Sequence, residues 1–130
     1  MATNEVYKVG AYVSLPVTAD LKSGDPVRVG AINAVAQTDA GVAANGSTPA
    51  VPGGVGNGTG FASCALEGVF NLTVTGTLTV GQLVYITGAN ALTATATGNK
   101  VFGTSLSAKG TGAGLALVKI VQTNSDTASA

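Results

Sequence analysis

Apolar and polar residues alternate along Cys64–Thr75. Cys64, Leu66, Gly68, Phe70, Leu72 and Val74 fall on one face, and Ala65, Glu67, Asn71, Thr73 and Thr75 on the other, with Val69 alone out of step. A period of two predicts a strand with one buried face, long enough to bend or to serve more than one pairing partner. The same reading predicts strands over Glu5–Val17 with a break near Gly10, Pro26–Val29, Ile32–Thr38, Leu83–Thr87, Ala91–Thr95, Val101–Ala108 and Leu115–Gln122. These segments are Val, Leu and Ala set among Thr and Gly, a composition that suits a pleated surface, and no segment repeats at the helical period. Gly88-Ala-Asn90 and Lys109-Gly-Thr-Gly-Ala-Gly114 read as hairpin connections, because Gly and Asn reach positive φ at little cost. The pattern predicts an all-β fold: a small single-domain β-barrel or sandwich of about eight short strands, spanning residues 1–122.

Three segments stand outside the strand pattern. Residues 39–60 hold seven glycines and two prolines with no periodicity, which predicts a long Gly-rich loop, either a tolerated insertion or a segment ordered against a partner. Residues 123–130 are Ser, Thr, Ala, Asn and Asp and read as a flexible C-terminal tail. Residues 1–12 form a candidate N-terminal arm, with Val6, Tyr7, Val9 and Tyr12 as apolar and aromatic anchors for a partner; the competing reading makes Val6–Val17 simply the first strand. The chain also hints at a repeat. Leu21-Lys-Ser-Gly-Asp-Pro-Val-Arg-Val29 can be laid over Leu78-Thr-Val-Gly-Gln-Leu-Val-Tyr-Ile86, matching Leu, Gly and Val. It reads either as a duplicated hairpin or as a common way to begin a strand.

Composition narrows the function. In 130 residues, six Lys/Arg balance six Asp/Glu, so no basic surface exists to hold a phosphate backbone, and nucleic acid is not an expected partner. No apolar run is long enough to cross a membrane as a helix, and the start Met1-Ala-Thr-Asn-Glu-Val-Tyr-Lys lacks a signal-peptide pattern; production in the cytoplasm is expected. The single cysteine, Cys64, fits a reducing compartment and sits on the apolar face, where a thiol fills core space. The sequons at Asn45, Asn57 and Asn71 are then chance products of composition. Histidine is absent, which removes the commonest general base and metal ligand. The acids Glu5, Asp20, Asp25, Asp39, Glu67 and Asp126 are scattered singly. Neither Gly54-Val-Gly-Asn-Gly-Thr-Gly60 nor Gly110-Thr-Gly-Ala-Gly114 has the spacing or following helix of a nucleotide-binding loop. No catalytic residue, cofactor or metal is expected.

The succession Ser23-Gly-Asp-Pro-Val-Arg-Val-Gly30, Asn33-Ala-Val-Ala-Gln-Thr-Asp39, Ala65-Leu-Glu-Gly-Val-Phe70, Val80-Gly-Gln-Leu-Val-Tyr-Ile86 and Thr95-Ala-Thr-Gly-Asn-Lys-Val-Phe-Gly-Thr104 resembles the small capsid decoration (cement) proteins of tailed bacteriophages, the DUF2190 family. The similarity runs over roughly residues 4–121. It implies a non-enzymatic β domain on the exterior of the virion capsid that binds the major capsid protein and stabilises the head as a homo-oligomer, a trimer before a dimer. The 39–60 loop is longer and more Gly-rich than that pattern. Two other readings stay open: another virion structural part, such as a head-fibre base or tail component, and a carbohydrate-binding β-sandwich, for which Tyr7, Tyr12 and Tyr85 would have to supply the aromatic platform.

Overall fold

The computed structural model describes residues 12–18, 20–42 and 59–122. Every regular element in them is a strand: β1 (Tyr12–Pro16), β2 (Pro26–Val29), β3 (Ile32–Ala36), β4 (Phe61–Ala65), β5 (Val69–Thr75), β6 (Leu83–Ile86), β7 (Leu92–Thr93), β8 (Lys100–Ser105) and β9 (Ala113–Ile120). Strands β1-β4-β3-β2 form an open sheet, and β5-β7-β6-β8-β9 close into a barrel. The all-β expectation holds, and sheet and barrel occur side by side. Of the predicted Glu5–Val17 strand, β1 is the described part; Val6, Tyr7 and Val9 lie outside the described residues, as do 43–58 and the tail 123–130.

The expected single strand over Cys64–Thr75 is two strands in two different sheets. The chain turns at Leu66-Glu67-Gly68, where Gly68 takes φ +121°, a conformation that other residues rarely adopt. β4 leaves for the open sheet and β5 for the barrel. Leu72 and Val74 are buried as the alternation requires, and Phe70 is half-buried against the barrel core. Ala65, assigned outward, is fully buried. The reason lies in the layering. Ala34, Ala36, Ala62 and Cys64 join Leu15, Leu21 and Val27 in the core of the open sheet, whereas Val35, paired with Ala65, belongs to the barrel core. Both faces are therefore covered along β3 and at the Cys64–Ala65 end of β4, and a strand covered on both faces loses its alternation.

The two sheets repeat one another in register. β1 pairs with β4 from Tyr12↔Ala65 to Pro16↔Phe61, as β5 pairs with β9 from Val69↔Lys119 to Thr73↔Leu115. Pro26↔Val35 and Val27↔Ala34 become Leu83↔Thr104 and Val84↔Gly103. Val35↔Ala65 and Ala36↔Cys64 become Thr104↔Lys119 and Ser105↔Val118. The turns that lead into β2 and β6 match bond for bond. Lys22 N–H donates to Asp25 Oδ2 and Thr79 N–H to Gln82 Oε1, at 2.9 and 3.1 Å; Gly24 N–H donates to Ala36 O and Gly81 N–H to Ser105 O. Gly24 and Gly81 hold φ of +91° and +89°. The repeat suggested by Leu21–Val29 and Leu78–Ile86 is a duplication of the whole four-strand unit.

The halves differ at two connections. β2 and β3 are joined by Gly30-Ala31 alone, whereas β6 and β8 are joined by Thr87–Asn99, which carries β7. β7 lies antiparallel to β6 and parallel to β5, and so closes the second half. The other difference is the Gly-rich loop, which occupies the place of the Lys109–Gly114 hairpin. Ala40 N–H donates to Leu21 O as Lys109 N–H donates to Leu78 O. Gly41 and Gly60 are joined by Gly60 N–H to Gly41 O at 2.7 Å. In the hairpin, Lys109 Nζ donates to the carbonyls of Gly76, Gly110 and Gly112, each at 2.7 Å, and pins the tip to the barrel.

Polar bonds join the halves at fully buried Asn33. Its Oδ1 accepts from Arg28 Nη1 at 2.6 Å, and its Nδ2 donates to Val101 O at 2.9 Å and Val121 O at 2.6 Å. Gln122 brackets the same residue, its Nε2 donating to Asn33 O and Leu66 O and its Oε1 accepting from Asn33 N–H. The strands of the second half, the Leu66 turn and the open sheet are thereby held together through the side chains of Asn33 and Gln122.

Candidate docking surface

Alternation decides which side chains the wall of each half presents. β9, Ala113–Ile120, is apolar in both phases: Ala116, Val118 and Ile120 are buried, while Leu115 is 62% exposed and Leu117 is exposed beside it. Across the ladder stand Asn71 and Thr73 of β5, facing Leu117 and Leu115, with exposed Val69 opposite Lys119. Leu106, also exposed, is bonded through its N–H to Leu117 O. The outer wall of β5 and β9 is thus a leucine row edged by Thr, Asn and one Lys.

The duplication repeats only part of this arrangement, since Ser63 stands in β4 where Leu117 stands in β9. Phe61 occupies in β4 the position of Leu115 in β9, and Tyr12 occupies in β1 the position of Val69 in β5; both are exposed, Tyr12 at 61%. Tyr12 is the one predicted contact residue among the described residues. The sequence reading did not single out Leu115, Leu117 or Phe61. The signal was there in β9, since a strand with one face in a core and Leu on its other face needs a second cover for that face.

The described residues contain no group of three or more His, Cys, Asp or Glu that could hold a metal. Cys64 is buried, and desolvation pushes its thiol above the ordinary range, the opposite of an activated nucleophile. Asp20 lies below the ordinary carboxylate range because the Thr18 hydroxyl and a backbone N–H bond to its charged form. No helix among the described residues is long and apolar enough to cross a membrane.

A family model described as phage cement protein matches residues 7–120, through both halves of the duplication. The chain belongs to the phage cement protein family. The resemblance read from the ordered motifs is therefore correct at family level, and a cement protein is a structural component of the phage capsid rather than an enzyme. No curated protein and no solved structure matches this cement protein.

Proposed function

We propose that this chain decorates the outer surface of a tailed-phage head, binds the major capsid protein and stabilises the assembled shell. The observation that carries the reading is the family match across residues 7–120. The outward pair Leu115 and Leu117, with Tyr12 and Phe61 exposed on the other half, supports it, because exposed apolar side chains edged by polar ones suit a protein–protein contact. A ligand that binds the assembled shell and not its dissociated subunits stabilises the shell by mass action, with no catalytic step. Synthesis in the host cytoplasm and a small homo-oligomer, a trimer before a dimer, complete the proposal.

The test uses heads assembled without the protein. Purified protein added back should sediment with the heads to a saturating amount and raise the temperature at which they release DNA. Heads that neither retain the protein nor gain heat resistance would overturn the assignment.

A further inference from the structure

The first half of the duplication lacks a strand that the second half has. In the barrel, Leu92 of β7 lies between Val74 of β5 and Ile86 of β6, and all three are buried. The counterparts of Val74 and Ile86 are Val17, which follows β1, and Val29, at the end of β2. Both are only half-buried, although they pack against the core of the open sheet. Between them lies a groove of about 300 Å³ lined by Pro16, Val17, Thr18, Val27, Val29 and Asn90, with Arg28 at its wall. β1 and β2 are the two ends of the sheet order β1-β4-β3-β2, the positions that β7 bridges in the barrel. The turn from β6 to β7 already reaches this place, where Asn90 Oδ1 accepts a bond from Arg28 N–H at 3.3 Å.

We propose that a strand from a second copy of this chain, Tyr7-Lys8-Val9 with its flanking residues, fills the groove parallel to β1 and antiparallel to β2, in the place of β7. The sequence pattern fits the site. β7 and the residue after it read Leu92, Thr93, Ala94, with Leu92 buried and Ala94 packed against the core. Tyr7, Lys8 and Val9 repeat that order of apolar, polar, apolar. The tail 123–130 has only alanines to bury, and Gly and Pro interrupt 43–58 throughout. The strand must come from another copy. Only Gly10 and Ala11 separate Val9 from β1, whereas a strand parallel to its own neighbour needs a crossover of about a dozen residues. Exchange of such a segment between identical copies gives a closed, symmetric oligomer through backbone bonds and two apolar side chains.

The test needs no phage heads, so its outcome is separate from that of capsid binding. Two singly substituted proteins, Tyr7→Cys and Val17→Cys, are each made in a Cys64→Ala background, mixed, allowed to exchange and oxidised. Covalent dimers of the mixed pair should form in excess of those formed when Val80→Cys, an exposed position on the barrel, replaces Val17→Cys. A yield no higher than that control overturns the proposal, as does a disulfide that forms only within one doubly substituted chain. So does cross-linking of the Val17→Cys protein to a capsid subunit in place of its own kind. As an independent check that keeps the native cysteine, deletion of residues 1–9 should convert the oligomer to monomer in sedimentation equilibrium while the β circular dichroism signal persists. An unchanged oligomer, or a full-length protein that is already monomeric, overturns it as well.

Discussion

Asn33→Ala removes the side chain that joins the two halves. Three hydrogen bonds disappear: one from the Arg28 guanidinium at 2.6 Å, one to Val101 O at 2.9 Å and one to Val121 O at 2.6 Å. A buried neutral bond contributes about 1 kcal/mol and a bond to a charged group about 1.5–3 kcal/mol, so the loss should be about 3.5–5 kcal/mol. Asn33 is fully buried, so Val121 O loses this partner away from solvent, while Arg28 Nη1 keeps its bond to Val101 O. Against a total stability of about 5–15 kcal/mol, this is a large fraction. Urea unfolding followed by far-UV circular dichroism, at fixed protein concentration, should show a lower midpoint with an unchanged slope. Asn71→Ala, on the exposed face of β5, should stay within about 0.5 kcal/mol of the parent. A loss below about 1 kcal/mol for Asn33→Ala would mean that these three side-chain bonds do not hold the seam.

Other changes test other parts of the fold. Gly103→Ala should weaken the β8–β9 pairing and lower Tm, since a Cβ there would collide with the Lys119 carbonyl oxygen, a backbone atom held in the ladder; an unchanged Tm would contradict the register. Cys64 should react with a thiol reagent far more slowly in the native protein than in urea. Its raised thiol also makes stability complete below the ordinary thiol range and progressively lost as pH rises through it, because the unfolded chain ionises first; a parent whose alkaline stability matches that of Cys64→Ala would argue against this. Replacing Leu115 and Leu117 together by Glu should leave Tm nearly unchanged while lowering affinity for heads at least about tenfold, as expected for apolar anchors at an interface. Equal binding by this variant would remove the leucine row from the contact.

Much of the strand layout was legible because alternation is local. β2 was expected at its observed limits, and β3, β6, β8 and β9 within a few residues, since each has a face in a core. The Gly88-Ala-Asn90 turn was also legible, and Asn90 does take a positive φ of 61°. The break at Leu66–Gly68 was not, because Cys64, Leu66, Gly68 and Phe70 keep the same phase across it while the sheet changes. Nor does alternation show what covers the second face, so Ala65 was placed outside and Leu115 went unnoticed. The duplication is faint in sequence because it lies in strand register and turn geometry, which different side chains can serve: Asp25 and Gln82 differ chemically, yet a side-chain oxygen of each accepts the same turn N–H. Closure by β7 is a long-range pairing, parallel on one side, and no local pattern announces it.

Whether the chain decorates the outside of the head can be read from electron cryo-microscopy of the intact virion, which should show density for the two duplicated β units at regular positions on the outer surface, with the β5–β9 wall or its β1–β4 counterpart against a shell subunit. A virion whose head surface lacks this density, or which carries the protein only in the tail or inside the shell, would contradict that placement.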